Sequence, residues 1–247
     1  MLALTGGAPK ELLPVAGTPA VGWVARECAA SGIDELLVVI APGKEAIVDY
    51  LAPRAGTDGM PRRIEFVVQP VARGLADAIR LGRDFAAAGP MAVALPDNLF
   101  VDGEPAMGQV IDAYRQTGLS TVAIVEILAA EAQRRGATAV YDGTVDGDRF
   151  RIASIPDKGG PSSRFQTGGA ASAFTAVGRY AFAPELFDTI DAVERTLPPD
   201  AEVDDVPVLQ RLLAEGRLLG RVISGRFLDL GLPDGYHEAD ELLAKRR

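Results

Sequence analysis

The alternation of two hydrophobic periods is the feature that most constrains the fold of this chain. Over the first ~130 residues, short apolar runs rich in β-branched side chains are separated by segments of helical periodicity. The runs are Glu35–Ala41, Ile64–Gln69, Met91–Pro96 and Ser120–Ile127, and the helical segments cover 18–32, 74–88 and 106–117. Runs of this kind are typical of strands buried on both faces. The alternation therefore predicts βαβ units, a mainly parallel sheet flanked by helices, and the α/β class.

The first helix has recognisable start and stop signals. Thr18-Pro19 is predicted to supply the N-cap and the first helical position, and Gly32 the C′ position. Val21, Val24, Ala25 and Cys28 recur at the spacing of one buried face.

The second half of the sequence is less regular. Turn-forming residues at Tyr141–Asp148 are predicted to join two strands, and the Gly- and Ser-rich stretch Asp157–Ser172 is either a surface loop or a lid. A strand over 173–181, helices over 184–197 and 202–215, a strand over 218–223 and a last helix from Pro233 follow. Since no repeat or linker is visible, we expect one domain over residues 1–247, with halves at about 1–130 and 131–247.

Composition excludes several classes of protein. The 247 residues include 25 basic and 34 acidic side chains, a net charge of −9. This balance argues against a general nucleic-acid binder, which needs clustered Lys and Arg. The single Cys28 and the single His237 argue against an internal disulfide or a His/Cys zinc site. No signal peptide and no apolar stretch of the roughly 20 residues that cross a bilayer is visible, so we expect a soluble cytoplasmic protein without membrane partners.

A few polar residues stand where an α/β sheet binds ligands, beyond the carboxyl ends of its strands. Asp97 follows the run Met91–Pro96 and Asp229 follows a second apolar run, although an Asp there is often only a turn or cap residue. If the two carboxylates converge, they suit Mg²⁺. Lys10 is either a surface charge or a phosphate ligand. Gln69 and Gly74 flank a loop where an amide could contact a base and a backbone could approach closely.

Several segments, in the right order, resemble the sugar nucleotidyltransferases, the nucleoside-triphosphate sugar-1-phosphate pyrophosphorylases. The segment PKELLPVAGTPAV at 9–21 is most similar to bacterial UTP–glucose-1-phosphate uridylyltransferases. The other segments are VQP at 68–70 with RGLADA at 73–78, LPDN at 95–98, GRY at 178–180 (similar to a structural turn near the sugar) and DLGLP at 229–233. The resemblance implies a Rossmann-like fold of the nucleotide-diphospho-sugar transferase type.

The resemblance also implies a reaction and its participants. A sugar 1-phosphate would attack the α-phosphorus of UTP or dTTP and release pyrophosphate, in a homo-oligomer that uses Mg²⁺. By position in the motifs, Asp97 and Asp229 would hold the metal and Lys10 would offset phosphate charge. Gln69 and Gly74 would contact the nucleotide, and Gly136 would approach the sugar.

The chain also departs from the family pattern. The usual first strand and its glycine-rich phosphate loop are not evident, and we expect such a loss to leave unpaired ladder groups on both neighbouring strands. A misassigned start, a natively shortened chain and a misleading N-terminal alignment are the three explanations. On the sugar side, Ser154-Ile155-Pro156 stands for Glu-Lys-Pro, and Ala173 for an asparagine.

These departures keep a second hypothesis open: a catalytically silent paralogue that binds a nucleotide sugar or a partner subunit. They also leave open which sugar or cyclitol phosphate is used. A Rossmann dehydrogenase is disfavoured because no Gly-x-Gly-x-x-Gly follows a first strand.

Overall fold

The computed structural model describes residues 9–57, 59–128, 140–157 and 171–245. Within these ranges the chain forms twelve strands and eight α-helices. The strands are β1 (Pro14–Val15), β2 (Thr18–Pro19), β3 (Glu35–Ile40), β4 (Arg63–Val68), β5 (Met91–Ala94), β6 (Asn98–Val101), β7 (Ser120–Leu128), β8 (Val140–Asp146), β9 (Arg149–Ser154), β10 (Ser172–Phe182), β11 (Leu218–Val222) and β12 (Arg226–Asp229). The helices are α1 (Ala20–Ala30), α2 (Glu45–Leu51), α3 (Leu75–Arg80), α4 (Arg83–Ala86), α5 (Ala106–Thr117), α6 (Leu186–Glu194), α7 (Asp205–Ala214) and α8 (Pro233–Ala244). No helix in the described part of the chain is long and apolar enough to cross a membrane.

The chain divides into two compact units. Unit 1 comprises residues 1–72, 94–108 and 224–247, and unit 2 comprises residues 73–93 and 109–223. The prediction of one domain with an N-terminal and a C-terminal half stays a prediction.

In the described part of unit 1, the strands form three pairs. β3 and β4 pair in parallel, β6 and β12 pair antiparallel, and β1 and β2 form a short hairpin. Helix α1 separates two apolar clusters in this unit. Val24 and Cys28 face the cluster that holds the hairpin, β6, β12 and α8, whereas Val21 and Ala25 face the cluster around β3 and α2. The buried face predicted for this helix is confirmed, and its two sides serve two cores.

Unit 2 is organised around a six-stranded sheet in the order β5-β10-β7-β11-β9-β8, with an extra pairing between β8 and β10. β7 and β11 run in parallel, while β10 pairs antiparallel with β7 and β9 pairs antiparallel with β8. Phe150 is completely buried at the centre of this unit's core, together with residues of α6 and α7. The predicted α/β class is confirmed, and the six-stranded sheet contains both parallel and antiparallel pairs.

Most predicted elements are observed, but three local predictions need correction. Helix α1 begins at Ala20, with Pro19 as its N-cap, because Thr18-Pro19 is instead the return strand of the β1–β2 hairpin. Tyr141–Asp146 is strand rather than turn, since the two residues Gly147-Asp148 suffice for the reversal to β9. Gly178-Arg179-Tyr180 lies inside β10, where the register with β7 shifts between Val177 and Tyr180, so the predicted turn is an irregularity within a strand.

β3 and β5 are among the apolar strands that pair along one edge only. In the part of the chain that the structure describes, β3 hydrogen-bonds to β4 alone and β5 to β10 alone. All four residues of β5 and four of the six in β3 are partly exposed. Each strand thus carries one row of backbone N–H and C=O groups that no described strand pairs.

Candidate functional site

The backbone of Lys10 is held in place by a short 3₁₀ turn and by the buried residues that follow it. It opens a single turn of 3₁₀ helix, Lys10–Leu12, and its carbonyl accepts a hydrogen bond from the N–H of Leu13 at 3.1 Å. Leu13 and Val15 are buried in the core of unit 1, so they anchor the turn and the following hairpin there. The Lys10 side chain remains 44 % exposed. The backbone is therefore fixed while the ammonium group can reach a ligand.

Asp97 and Asp229 are brought together by the β6–β12 pairing. Asn98 pairs with Asp229 across these antiparallel strands, and the N–H of Leu230 donates to the Asp97 carbonyl at 2.8 Å. Leu228 is buried, so the side-chain alternation of β12 holds this register. Two carboxylates more than 130 positions apart in the sequence thus start from adjoining backbone positions. The N–H of Gly231 also donates to Asp229 Oδ1 at 2.8 Å.

Lys10 interacts electrostatically with both Asp97 and Asp229. Its Nζ lies 2.9 Å from Asp97 Oδ2. Burial by itself would lower the pKa of Lys10. The hydrogen bond to Asp97 and the charges of Asp97, Glu11 and Asp229 outweigh burial and raise the pKa above its ordinary value. Lys10 is therefore a permanent cation at neutral pH.

The Lys10–Asp97 pair is available for exchange with a ligand. Both side chains are partly exposed, 44 % and 30 %, and pairs of this kind contribute at most about 1 kcal/mol to folding. A phosphate can consequently replace Asp97 at Lys10, and a cation can replace Lys10 at Asp97, without a large penalty. The arrangement suits a ligand that carries both charges.

The same residues fit a hard divalent cation. Mg²⁺ takes oxygen ligands and is commonly held by one or two carboxylates, with phosphates and water completing the shell. Asp97 and Asp229 supply such a pair. In the described ranges, His, Cys, Asp and Glu form no group of three or more that would hold a metal by protein ligands alone. The donor set suits a metal shared with a phosphorylated substrate.

The remaining predicted residues are placed less directly. In unit 1, the backbone N–H of Gln69 donates to the Ile40 carbonyl at 2.8 Å, which ties the loop after β4 to the end of β3. In unit 2, Gly74 precedes α3 with a φ of 103°. A Cβ at Gly74 would lie 2.5 Å from the Val203 carbonyl oxygen, so its close backbone approach is to Val203. Gly136 lies outside the described residues.

The predicted departures on the sugar side are visible in unit 2. The Ile155 side chain is buried in the core, and its carbonyl accepts a hydrogen bond from Gln210 Nε2 at 2.9 Å. Ile155 therefore cannot take the place of a phosphate-binding lysine. Ala173 is buried in β10, so it offers no polar group either.

One polar cluster in unit 2 was not predicted as functional. The hydroxyl of Tyr180 donates to Asp205 Oδ2 at 3.1 Å in the first turn of α7. The pKa of Asp205 is raised to about 6, first by burial and then by the charge of Asp204 and the hydrogen bond with it. The hydrogen bonds from Tyr180 and from the backbone act in the opposite direction and lower this pKa. The pKa values of Tyr141 and Tyr180 are also raised, first by burial and second by the negative charge of Asp205. The sequence contained Asp204-Asp205 and the Tyr180 of segment 178–180, but no pattern in it placed these residues together.

The match to known sequences covers nearly the whole chain. A family model described as nucleotidyl transferase matches residues 1–246. A putative UTP–glucose-1-phosphate uridylyltransferase of Bacillus subtilis is 31 % identical over 252 residues, which cover 95 % of this chain and 89 % of the relative. A UTP–glucose-1-phosphate uridylyltransferase of Pseudomonas aeruginosa is 28 % identical, covering 96 % of this chain and 89 % of the relative.

Solved structures agree on the fold. A UDP-glucose pyrophosphorylase complexed with UDP-glucose aligns with a TM-score of 0.80 at 23 % identity, covering 97 % of this chain and 91 % of the other. A putative glucose-1-phosphate thymidylyltransferase of Bacillus anthracis aligns with a TM-score of 0.78 at 20 % identity, covering 99 % and 90 %. The family model, the relatives and the fold agree with one another, and we conclude that this chain belongs to the nucleotidyl transferase family.

Proposed function

We propose that this nucleotidyltransferase joins the nucleotidyl group of UTP to a sugar 1-phosphate and releases pyrophosphate. The observation that carries the proposal is the convergence of Lys10, Asp97 and Asp229 at the β6–β12 strand ends. The relatives that share most of the chain are named for this reaction with UTP and glucose 1-phosphate. UTP is favoured over dTTP because segment 9–21 and those relatives both point to uridylyl transfer.

The reaction needs positioning and charge neutralisation rather than a covalent intermediate. A phosphate oxygen of the sugar 1-phosphate forms a bond to the α-phosphorus, and the bond from that phosphorus to the pyrophosphate oxygen breaks. Lys10, a fixed cation, would bind the phosphate where negative charge builds up. The ion pair between the Lys10 ammonium group and Asp97 would break when the substrate binds.

Asp97 and Asp229 are the residues that would hold Mg²⁺. When bound, the ion would neutralise phosphate charge and orient the triphosphate. The β6–β12 register keeps the backbone positions of Asp97 and Asp229 next to each other. Gln69 and Gly74 as nucleotide contacts, Gly136 as a sugar contact and homo-oligomeric assembly stay predictions.

Ile155 favours a second candidate function. Its apolar, buried side chain stands where the family pattern has a phosphate-binding lysine. A protein that binds a nucleotide sugar without turnover would fit that change. The two candidates differ in one observable, the release of pyrophosphate.

The experiment measures pyrophosphate release with Mg²⁺, UTP or dTTP, and a panel of sugar and cyclitol 1-phosphates. Asp97→Asn and Lys10→Gln are each expected to lower kcat/KM by about 10² or more, because each removes one charge-stabilising group. Asp49→Asn and Lys245→Gln are the matched controls, since both residues are exposed. Binding of a nucleotide sugar without release would favour the silent paralogue, and full activity in Asp97→Asn would contradict the proposed site.

A further inference from the structure

The C-terminal helix α8 is packed on the same core as the candidate site. Ala239 and Leu243 of this helix are buried together with Val15 of the hairpin and Leu228 of β12. The helix begins at Pro233, four residues after Asp229. Its position is therefore determined by the two segments that carry Lys10 and Asp229.

Gly235 lies directly against the backbone of Asp229. A Cβ at this position would overlap the Asp229 carbonyl oxygen and lie 3.0 Å from the carbonyl carbon. Any larger residue must push α8 and the end of β12 apart. The absence of a side chain at Gly235 thus allows α8 to pack directly against the Asp229 backbone and determines the distance between them.

Two other residues of α8 hold the hairpin that follows Lys10. Asp240 Oδ1 accepts a hydrogen bond from the N–H of Ala16 at 2.7 Å, and the Tyr236 hydroxyl donates to the Pro14 carbonyl at 2.7 Å. Ala16 has a φ of 46°, a left-handed conformation that disfavours residues with a Cβ. The charge-assisted hydrogen bond from the Ala16 N–H to Asp240 offsets this strain and keeps the tight turn. Leu13, directly before the hairpin, is held by the start of α1, because its carbonyl accepts a hydrogen bond from the N–H of Ala20 at 3.1 Å.

We propose that α8 is a positioning element that keeps Lys10 in register with Asp229, through Asp240 on the hairpin and Gly235 on β12. This inference rests on the proposed function, because the register concerns the groups that would bind phosphate and metal. None of the α8 residues needs to touch a substrate. Their loss should affect kcat and metal affinity more than the KM for the sugar phosphate.

The test compares Asp240→Ala, Asp240→Asn, Gly235→Ala and Tyr236→Phe with wild type, and Glu241→Ala, an exposed residue on α8, is the control. Pyrophosphate release gives kcat and KM, and Mn²⁺ binding followed by electron paramagnetic resonance gives metal affinity without turnover. Asp240→Ala and Gly235→Ala are expected to lose about tenfold or more in both kcat and Mn²⁺ affinity. Asp240→Asn retains an oxygen acceptor for Ala16, so it should stay within about threefold of wild type.

The outcomes separate this inference from the proposed function. Folded Asp240→Ala and Gly235→Ala variants that match wild type in kcat and Mn²⁺ affinity would overturn the positioning role and leave the function intact. A wild-type protein without turnover, whose Mn²⁺ affinity still falls in Asp240→Ala, would overturn the function and support the positioning role. If Asp240→Ala and Gly235→Ala do not fold, Tyr236→Phe decides. A smaller loss in both quantities supports the inference, and wild-type values contradict it.

Discussion

The replacement Asp205→Asn is expected to stabilise the protein at neutral pH. The folded state raises the pKa of Asp205 to about 6 from a reference of 3.8, mainly by burial and secondly through Asp204. The folded protein therefore binds a proton more tightly at this site than the unfolded chain. The stability from that proton is fully present below pH 3.8 and lost as the pH rises to about 6.

The size of the effect follows from the shift. About two pKa units correspond to roughly 3 kcal/mol. Since Asp205 is only partly buried, solvent screening reduces this to about 1–3 kcal/mol. Asparagine carries no charge at any of these pH values, and it keeps an oxygen that can accept from the Tyr180 hydroxyl.

Urea denaturation at pH 4 and pH 8 measures the difference. The stability of Asp205→Asn relative to wild type should be greater at pH 8 than at pH 4 by about 1–3 kcal/mol. Asp188→Asn is the matched control, because Asp188 also lies in the first turn of a helix but its side chain is 87 % exposed. A relative stability that is the same at both pH values would refute the reasoning, because the raised pKa would then be absent.

Three further predictions concern packing, backbone conformation and metal. Gly74→Ala should lower the free energy of unfolding in urea by about 3 kcal/mol or more, because strain at positive φ adds to overlap with Val203. Gly43→Ala also has a positive φ but open space around it, so it should lower the free energy of unfolding by only about 1 kcal/mol. Equal losses in the two variants would contradict this reasoning. Phe150→Ala should lower the free energy of unfolding by about 3–5 kcal/mol because it leaves a cavity at a completely buried position, and a loss under 1 kcal/mol would contradict the core assignment. Removal of divalent cations by EDTA should abolish pyrophosphate release, and added Mg²⁺ should restore it; release that persists without metal would contradict the roles of Asp97 and Asp229.

Local patterns were sufficient for most secondary structure. The β-branched run at Glu35–Ala41 forms β3, and Gly32 takes the positive φ expected after a helix, because both depend on nearby residues only. The errors occurred where tertiary pairing overrides local preference. Thr18-Pro19 has the composition of a helix start but pairs with β1. Gly178-Arg179 resembles a turn but lies within β10, between Val177 and Tyr180, which both pair with β7.

The sequence by itself determined the class of fold, the family and the residue types available for phosphate and metal chemistry. Only the tertiary structure decided that Lys10, Asp97 and Asp229 meet, because the register of β6 against β12 and the buried hairpin connect positions far apart in the chain. The same holds for the raised pKa of Asp205, since its burial requires β8, β10 and α7 to pack together. Gly235 carried a weak signal as a glycine inside a helix, but its contact with Asp229 depends on how α8 returns across β12. Burial and long-range pairing are properties of the folded chain, so a pattern of neighbouring residues cannot encode them one position at a time.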